Sequence, residues 1–184
     1  LTVYAFSTEN WKRSEEEING IMSILREYLI DSANFKDENI RLHFIGDLSR
    51  IDDDLRQLID NAEHDSENAT GLWVNIALNY GGRNEIVHAV QSIAEQCKSG
   101  RIEPSDITES VISDNLYTAG MPDPDLFIRP GGEYRISNYL IWQSAYAEMY
   151  FTDVLWPDFN SKVIDEAIKS YSQRDRRFGG RNSK

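Results

Sequence analysis

The sequence is poor in cysteine, in proline and in positive charge, and it contains no long apolar run. Cys97 is the single cysteine, so no disulfide can form within the chain and no thiolate zinc cluster can be built. A reducing, cytoplasmic compartment is expected, with Cys97 as a small buried hydrophobe. Lys and Arg number 19 against 31 Asp and Glu, a formal net charge of −12. Surfaces that bind nucleic acid neutralise many phosphates with clustered basic side chains, so nucleic acid is excluded as a partner and any anionic ligand must be held locally. No apolar stretch approaches the roughly 18 to 20 residues of a bilayer span, and no basic-then-apolar leader opens the chain. A soluble protein is expected, with peripheral membrane contact left open. The glycine fingerprints GxGxxG and GxxxxGK[ST] are both absent, which leaves a dinucleotide or P-loop site without support. His43, His64 and His88 share no ligand spacing, so a histidine metal site carries little weight.

What is present is a repeated switch of hydrophobic period between 2 and 3.6, the mark of alternating strands and helices. "TVYAF" (2–6), "IRLHFIG" (40–46), "LWVNIALNY" (72–80) and "DLFIR" (125–129) read as strands. Between them run helical faces: Ile18, Ile21, Met22, Leu25, Tyr28 and Leu29; then Leu55, Leu58, Ile59 and Ala62; then Ile86, Val90, Ile93, Ala94 and Cys97. A shorter helical piece near 108–117 and a last face of Val163, Ile164, Ala167, Ile168 and Tyr171 follow. Ser14 and Glu17 have the spacing of a capping box. The fold class expected is α/β, a mostly parallel central sheet flanked by helices, in one domain spanning residues 1–184. Ligands of such sheets bind beyond the carboxyl ends of the strands. Three unusual polar loops fall there: "FSTENWKR" (6–13), "NYGGRNE" (79–85) and "IRPGGEYRIS" (128–137). Asp52, Asp53 and Asp54 could be a metal cluster, but carboxylates at a helix start are more often macrodipole partners.

The third loop is the hardest to explain as scaffold. Arg129 and Arg135 flank glycines that would let the backbone approach a ligand, and Ser137 adds a hydroxyl. Guanidinium forks and exposed N–H groups suit a diphosphate. Glu133 is placed to orient one arginine by ion pairing, and Glu148 offers a hard oxygen suited to Mg²⁺. The stretch 6–17, polar and with few apolar anchors, is expected to act as a lid.

"FSTENWKR", "NYGGR", "PDPDLFIRPGGEYRISNYLIWQSAYAEMYF" and "WPDF", in that order, closely resemble the cis-prenyltransferase family, in particular its undecaprenyl diphosphate synthases. The likeness runs from Leu1 to the terminal "RRFGG". It implies condensation of isopentenyl diphosphate onto farnesyl diphosphate, each new double bond cis, to give the lipid carrier of cell-wall polymers. It also implies a homodimer. By motif, Arg129, Arg135, Ser137 and the backbone of Ile136 match positions that bind isopentenyl diphosphate, and Glu148 matches a magnesium ligand. Ser7, Thr8, Glu9, Trp11 and Arg13 match substrate-contacting positions, and Asn10 the residue assigned as proton acceptor. A neutral amide is a very poor base, so Asn10 is better suited to positioning a diphosphate oxygen or water that takes the proton. An apolar tunnel must shelter the growing chain, with Ile18, Met22, Leu25, Leu29 and Leu72 as candidate walls.

The family's N-terminal strand and Asp-Gly-Asn-Gly-Arg loop have no counterpart in these residues, so an N-terminally truncated chain is expected. Ser14 stands where a proline commonly follows the loop arginine, and Pro130 where a threonine is usual. A chain without the loop aspartate would suit a non-catalytic accessory subunit, whereas Arg129, Arg135, Ser137 and Glu148 favour the enzyme.

Overall fold

The structure is a computed structural model that describes residues 1–30 and 38–174. The terminal "RRFGG" lies outside the described residues. The chain divides into two units, Leu1–Ala119 and a second from Gly120 onward.

In the first unit the order is β1 (Thr2–Ser7), α1 (Glu15–Ile30), β2 (Ile40–Ile45), α2 (Asp53–Ser66), β3 (Leu72–Tyr80), α3 (Gly82–Lys98) and the short α4 (Glu109–Ser113). The strands form a three-stranded sheet in the order β1-β3-β2, parallel throughout. Ile40 faces Leu72 and Phe44 faces Ile76, while Thr2 faces Asn75. Because side chains alternate along a strand, Leu42, Phe44 and Leu78 share one face, where they pack with Phe6, with Met22 and Leu29 of α1, and with Leu55, Ile59 and Ala62 of α2. Ile18 and Leu25 pack against this core, whereas Leu72 is half exposed. Alternation turns Ala77 and Ile45 to the opposite face, where both are fully buried. In α3 the buried positions are Gly82, Glu85, Ala89 and Ile93, and Val90, expected on the apolar face, is 55% exposed.

The helix ends follow the sequence closely. Ser14 Oγ accepts from the Glu17 N–H at 3.3 Å while the Ser14 N–H donates to Glu17 Oε2 at 3.4 Å, the reciprocal capping box that the spacing predicts. Asp53 and Asp54 open α2, and Arg26 of α1 grips Asp52 at 2.7 Å and Asp54 at 2.8 Å. The aspartate triplet is therefore a helix start clamped to its neighbour. No group of three metal-ligating side chains occurs among the described residues.

Strand β2 has one unpaired edge, and α2 covers it with side chains. Ser66 Oγ accepts from the Leu42 N–H at 3.0 Å and Glu63 Oε1 from the Phe44 N–H at 2.6 Å. Both donors would otherwise be buried without partners, at a cost of about 1–3 kcal/mol each. Beyond β2 the chain passes so close to β3 that a Cβ on Gly46 would sit 2.1 Å from the Leu78 carbonyl oxygen. Only glycine fits there, and its φ of 128° is a second reason.

The second unit holds β4 (Leu126–Arg129), β5 (Glu148–Phe151) and, numbered on, α5 (Ser161–Ser172). The two strands pair in parallel, Leu126 opposite Glu148 and Arg129 opposite Phe151. "YLIWQSAY" closes in a single 3-10 turn, Gln143–Tyr146. Val163 and Ala167 are the buried positions of α5, capped by Asn160, whose Oδ1 accepts from the Lys162 N–H at 3.0 Å.

Candidate active site

The loop after β1 is a compact turn, Thr8–Lys12, and the expectation of few apolar anchors needs correcting. Trp11 packs edge-to-face on Phe6 with ring centroids 5.0 Å apart. Its indole N–H donates to Asn79 Oδ1 at 2.7 Å, and the Arg50 guanidinium lies 4.3 Å from its ring centroid. Asn10 Oδ1 accepts from the Ser7 N–H at 2.8 Å, so the oxygen that a proton acceptor would need is already engaged in holding the turn. Thr8 Oγ1 donates to Glu9 Oε2, and the Arg13 N–H closes the turn on the Asn10 carbonyl at 3.0 Å. Glu9 and Arg13 are exposed, while Ser7, Thr8, Asn10 and Trp11 are half-buried. Tyr4 donates to the Tyr80 carbonyl at 2.9 Å, and burial together with the Glu9 charge pushes its pKa up to about 12, so it stays a donor at neutral pH.

Beside this turn, the exits of β2 and β3 border a cleft of about 350 Å³ lined by Gly46, Asp47, Asn84, His88, Gln91 and Tyr117. His88 stacks on Tyr117 at 4.7 Å. Hydrogen bonds from Ser49 hold Asp47 below the usual carboxylate range. Burial, reinforced by the charges of Asp47 and Glu85, raises Tyr117 to about 12.

In the second unit the structure brings Arg129 and Ser137 together, Nη1 donating to Oγ at 3.0 Å. Ser137 has a φ of 49°, and Asn138 and Leu140 are also left-handed, so this segment is held in a conformation that L residues avoid. Arg135 is exposed and pairs with Glu133, as the sequence suggests. Ile136 lends its carbonyl to the Tyr139 N–H.

The glycine reading changes. The N–H groups of Gly131 and Gly132 donate to the carbonyls of Val154 at 2.8 Å and Thr152 at 2.9 Å, just beyond the last β4–β5 pair. They are structural donors, and the φ values of 89° and 70° explain why both positions are glycine. Glu148 stands at the start of β5, opposite Leu126, three ladder positions and so about 10 Å from the level of Arg129. Its Oε2 pairs with Arg174 Nη1 at 2.7 Å, and neither Arg129 nor Arg135 is its partner.

Sequence reasoning missed Asn79, Arg50 and Arg174. Asn79 was visible inside "NYGGRNE", and asparagine is enriched at left-handed positions such as its φ of 47°. The pairing of Trp11 with a residue 68 positions away has no local signal.

The prenyltransferase family model for undecaprenyl diphosphate synthase matches residues 1–179. An isoprenyl transferase of Clostridium perfringens is 49% identical over 98% of this chain and 72% of its own length. A farnesyl-diphosphate-specific ditrans,polycis-undecaprenyl-diphosphate synthase of Photorhabdus laumondii is 48% identical over 98% and 71%. Among solved structures, lavandulyl diphosphate synthase from Lavandula x intermedia, in complex with dimethylallyl diphosphate, superposes with a TM-score of 0.94. It is 37% identical over 97% of this chain and 78% of that one. A probable undecaprenyl diphosphate synthase from Campylobacter jejuni gives a TM-score of 0.85 and 38% identity over 97% and 82%. The chain belongs to the undecaprenyl diphosphate synthase family of prenyltransferases.

Proposed function

We propose that the chain condenses isopentenyl diphosphate with an allylic diphosphate, farnesyl diphosphate, to build cis-polyprenyl (undecaprenyl) diphosphate for a cell-wall lipid carrier. The single observation that carries this reading is the Arg129–Ser137 contact with the exposed Arg135 beside it, a cationic cluster with a hydroxyl in a chain of net charge −12. The names of the relatives support it. The reading takes the chain as one catalytic domain, since the family match runs through both units.

Each guanidinium presents planar donors to diphosphate oxygens, with Ser137 Oγ and the Ile136 backbone completing the set. Ser7, Thr8, Glu9, Trp11 and Arg13 contact substrate from the Thr8–Lys12 turn. With one lone pair of Asn10 Oδ1 engaged by the Ser7 N–H, Asn10 offers its NH₂ as donor and one further acceptor site. It orients a diphosphate oxygen or water, and that group takes the proton lost from the isopentenyl carbon. Arg129 and Arg135 stabilise charge on the diphosphates as the allylic carbon–oxygen bond breaks.

The donor set fits Mg²⁺. Glu148 is a partly exposed hard oxygen ligand, and Mg²⁺ usually keeps several waters and binds through one or two carboxylates plus substrate phosphates, so no three-residue cluster is required. Bound there, the ion would neutralise diphosphate charge. No helix among the described residues is long and apolar enough to cross a membrane. The reading includes a cytoplasmic homodimer that meets a bilayer only peripherally to release product. It also includes a tunnel walled by Ile18, Met22, Leu25, Leu29 and Leu72. Met22 and Leu29 are the deepest of these.

Calorimetry tests the reading. Isopentenyl diphosphate is expected to bind in the presence of Mg²⁺ and ATP is not. Arg129→Ala and Arg135→Ala should each weaken binding ten- to a hundredfold, as a charge-assisted hydrogen bond is worth about 1.5–3 kcal/mol. Equal affinity for ATP, or unchanged affinity in both variants, removes this cluster from the site.

A further inference from the structure

We infer that Asn79 is a positioning residue for the reaction, fixing the Thr8–Lys12 turn against the exit of β2 through both ends of its side-chain amide. The inference rests on the proposed role of that turn in substrate contact. Asn79 is 3% exposed and lies at the end of β3 with a φ of 47°. Its Oδ1 accepts from the Trp11 indole N–H at 2.7 Å, and its Nδ2 donates to the Asp47 carbonyl at 2.6 Å. The Asp47 N–H returns a longer bond to the Asn79 carbonyl at 3.4 Å.

The chemistry of the two partners leaves little choice of residue. An indole N–H can only donate and a backbone carbonyl can only accept, so the group between them must accept at one end and donate at the other. A carboxylate cannot donate, and an aliphatic side chain would leave both partners unsatisfied in a nearly dry position. The left-handed backbone adds a second filter that favours asparagine among non-glycine residues. Arg50, from the turn after β2, lies over the outer face of the same indole. The turn carrying Ser7, Thr8, Glu9, Asn10 and Arg13 is thereby tied to the loops after β2 and β3 through one aromatic ring. Asn79 itself need not touch substrate.

Three variants test this: Asn79→Gly, which keeps the left-handed backbone and removes both bonds; Asn79→Asp, which keeps the acceptor and removes the donor; and Trp11→Phe, which removes only the indole donor. Initial rates are measured with isopentenyl and farnesyl diphosphates below each variant's melting temperature, alongside hydrogen exchange of residues 8–12. Asn79→Gly is expected to lower kcat/KM ten- to a hundredfold and to speed exchange in the turn, with Asn79→Asp between it and the parent. The double variant Trp11→Phe/Asn79→Gly should be no worse than the poorer single variant, because one contact is removed twice. Losses that multiply, or a loss in Asn79→Gly with unchanged exchange at 8–12, overturn the inference. If Asn79→Gly does not fold, the comparison of Asn79→Asp with Trp11→Phe decides by the same criteria. Arg13→Ala serves as the separate control: normal kinetics there defeat the substrate role of the turn itself, whereas a defect there with normal Asn79 variants defeats only the inference.

Discussion

The Thr8–Lys12 turn and the Arg129–Ser137 segment are both polar loops that follow a strand, yet they are built on opposite plans. In the first, the side chains are largely engaged with the protein: Asn10 with the backbone of Ser7, Trp11 with Phe6, Asn79 and Arg50. In the second, the backbone holds the turn through Gly131, Gly132 and a left-handed stretch from Ser137, and the exposed Arg135 pairs with Glu133. Reactive charge can be presented in either way. A loop fixed by its side chains keeps few of them for a ligand, whereas in a loop fixed by its backbone the charged side chains are tied to one another, Arg129 to Ser137 and Arg135 to Glu133.

The sharpest way to break this contrast is to remove the anchor of each loop and ask what is lost. Trp11→Ala deletes the edge-to-face contact and the bond to Asn79, and should lower stability by about 2 kcal/mol, less than the 3–5 kcal/mol of a fully buried aromatic because Trp11 is half-buried. Arg135→Ala should change stability by under about 0.5 kcal/mol while it weakens diphosphate binding. Urea unfolding of the two variants is the measurement. If Arg135→Ala is the more destabilised, the second loop is not held by its backbone.

How far these features can be read from sequence follows from their range. The first four strands, the long helices and the Ser14–Glu17 box are local patterns and stand where the periods place them, whereas the periods do not mark β5 as a strand and the helical piece near 108–117 shortens to Glu109–Ser113. Glycines 131 and 132 were legible as a special backbone, but their N–H groups bond to Thr152 and Val154, some twenty residues on, and nothing in "RPGGE" announces a partner strand. Val90 carries a helical apolar period and is exposed all the same, because periodicity reports a stripe and not what covers it. In the aspartate triplet, Asp53 pairs locally with Arg56, but Asp52 and Asp54 are explained by Arg26, 26 to 28 residues away.

A smaller effect concerns the sheet that supports the first loop. Burial alone would raise the Glu63 pKa, but the bonds from His43 and the Phe44 N–H and the nearby charges of His43 and Arg41 outweigh it, and the carboxyl is held below its ordinary value. A depressed carboxyl contributes its stability fully above the unfolded pKa, about 4.3, and loses it as the pH falls through the lower folded value. Glu63→Gln keeps an acceptor for the strand edge and loses the charge, so it should cost about 1 kcal/mol at pH 7. As the pH falls through that lower folded value the difference should shrink toward nothing. A difference between the two proteins that grows on acidification would reverse the sign of the assignment.

The smallest expected effect on stability belongs to Arg174, which bonds Glu148 at 2.7 Å with side chains 35% and 27% exposed. Pairs open to solvent to this degree contribute about 0–1 kcal/mol, because the Coulomb gain is small in high dielectric and two side chains must be ordered to obtain it. Arg174→Gln should therefore leave urea unfolding nearly unchanged. Its effect should appear elsewhere. If Glu148 holds Mg²⁺ as proposed, the guanidinium and the ion compete for the same carboxylate oxygen, and removing the guanidinium should lower the Mg²⁺ concentration needed for half-maximal isopentenyl diphosphate binding by about two- to fivefold, or up to about 1 kcal/mol at RT of about 0.59 kcal/mol. Glu148→Gln should raise the same midpoint. Calorimetric Mg²⁺ titrations of both variants measure these shifts. A higher Mg²⁺ midpoint in Arg174→Gln would mean that Arg174 helps to hold the diphosphate rather than guarding the carboxylate. An unmoved midpoint in Glu148→Gln would make the pair a surface tie within the second unit, and both loops would then be left to work without a metal ligand at β5.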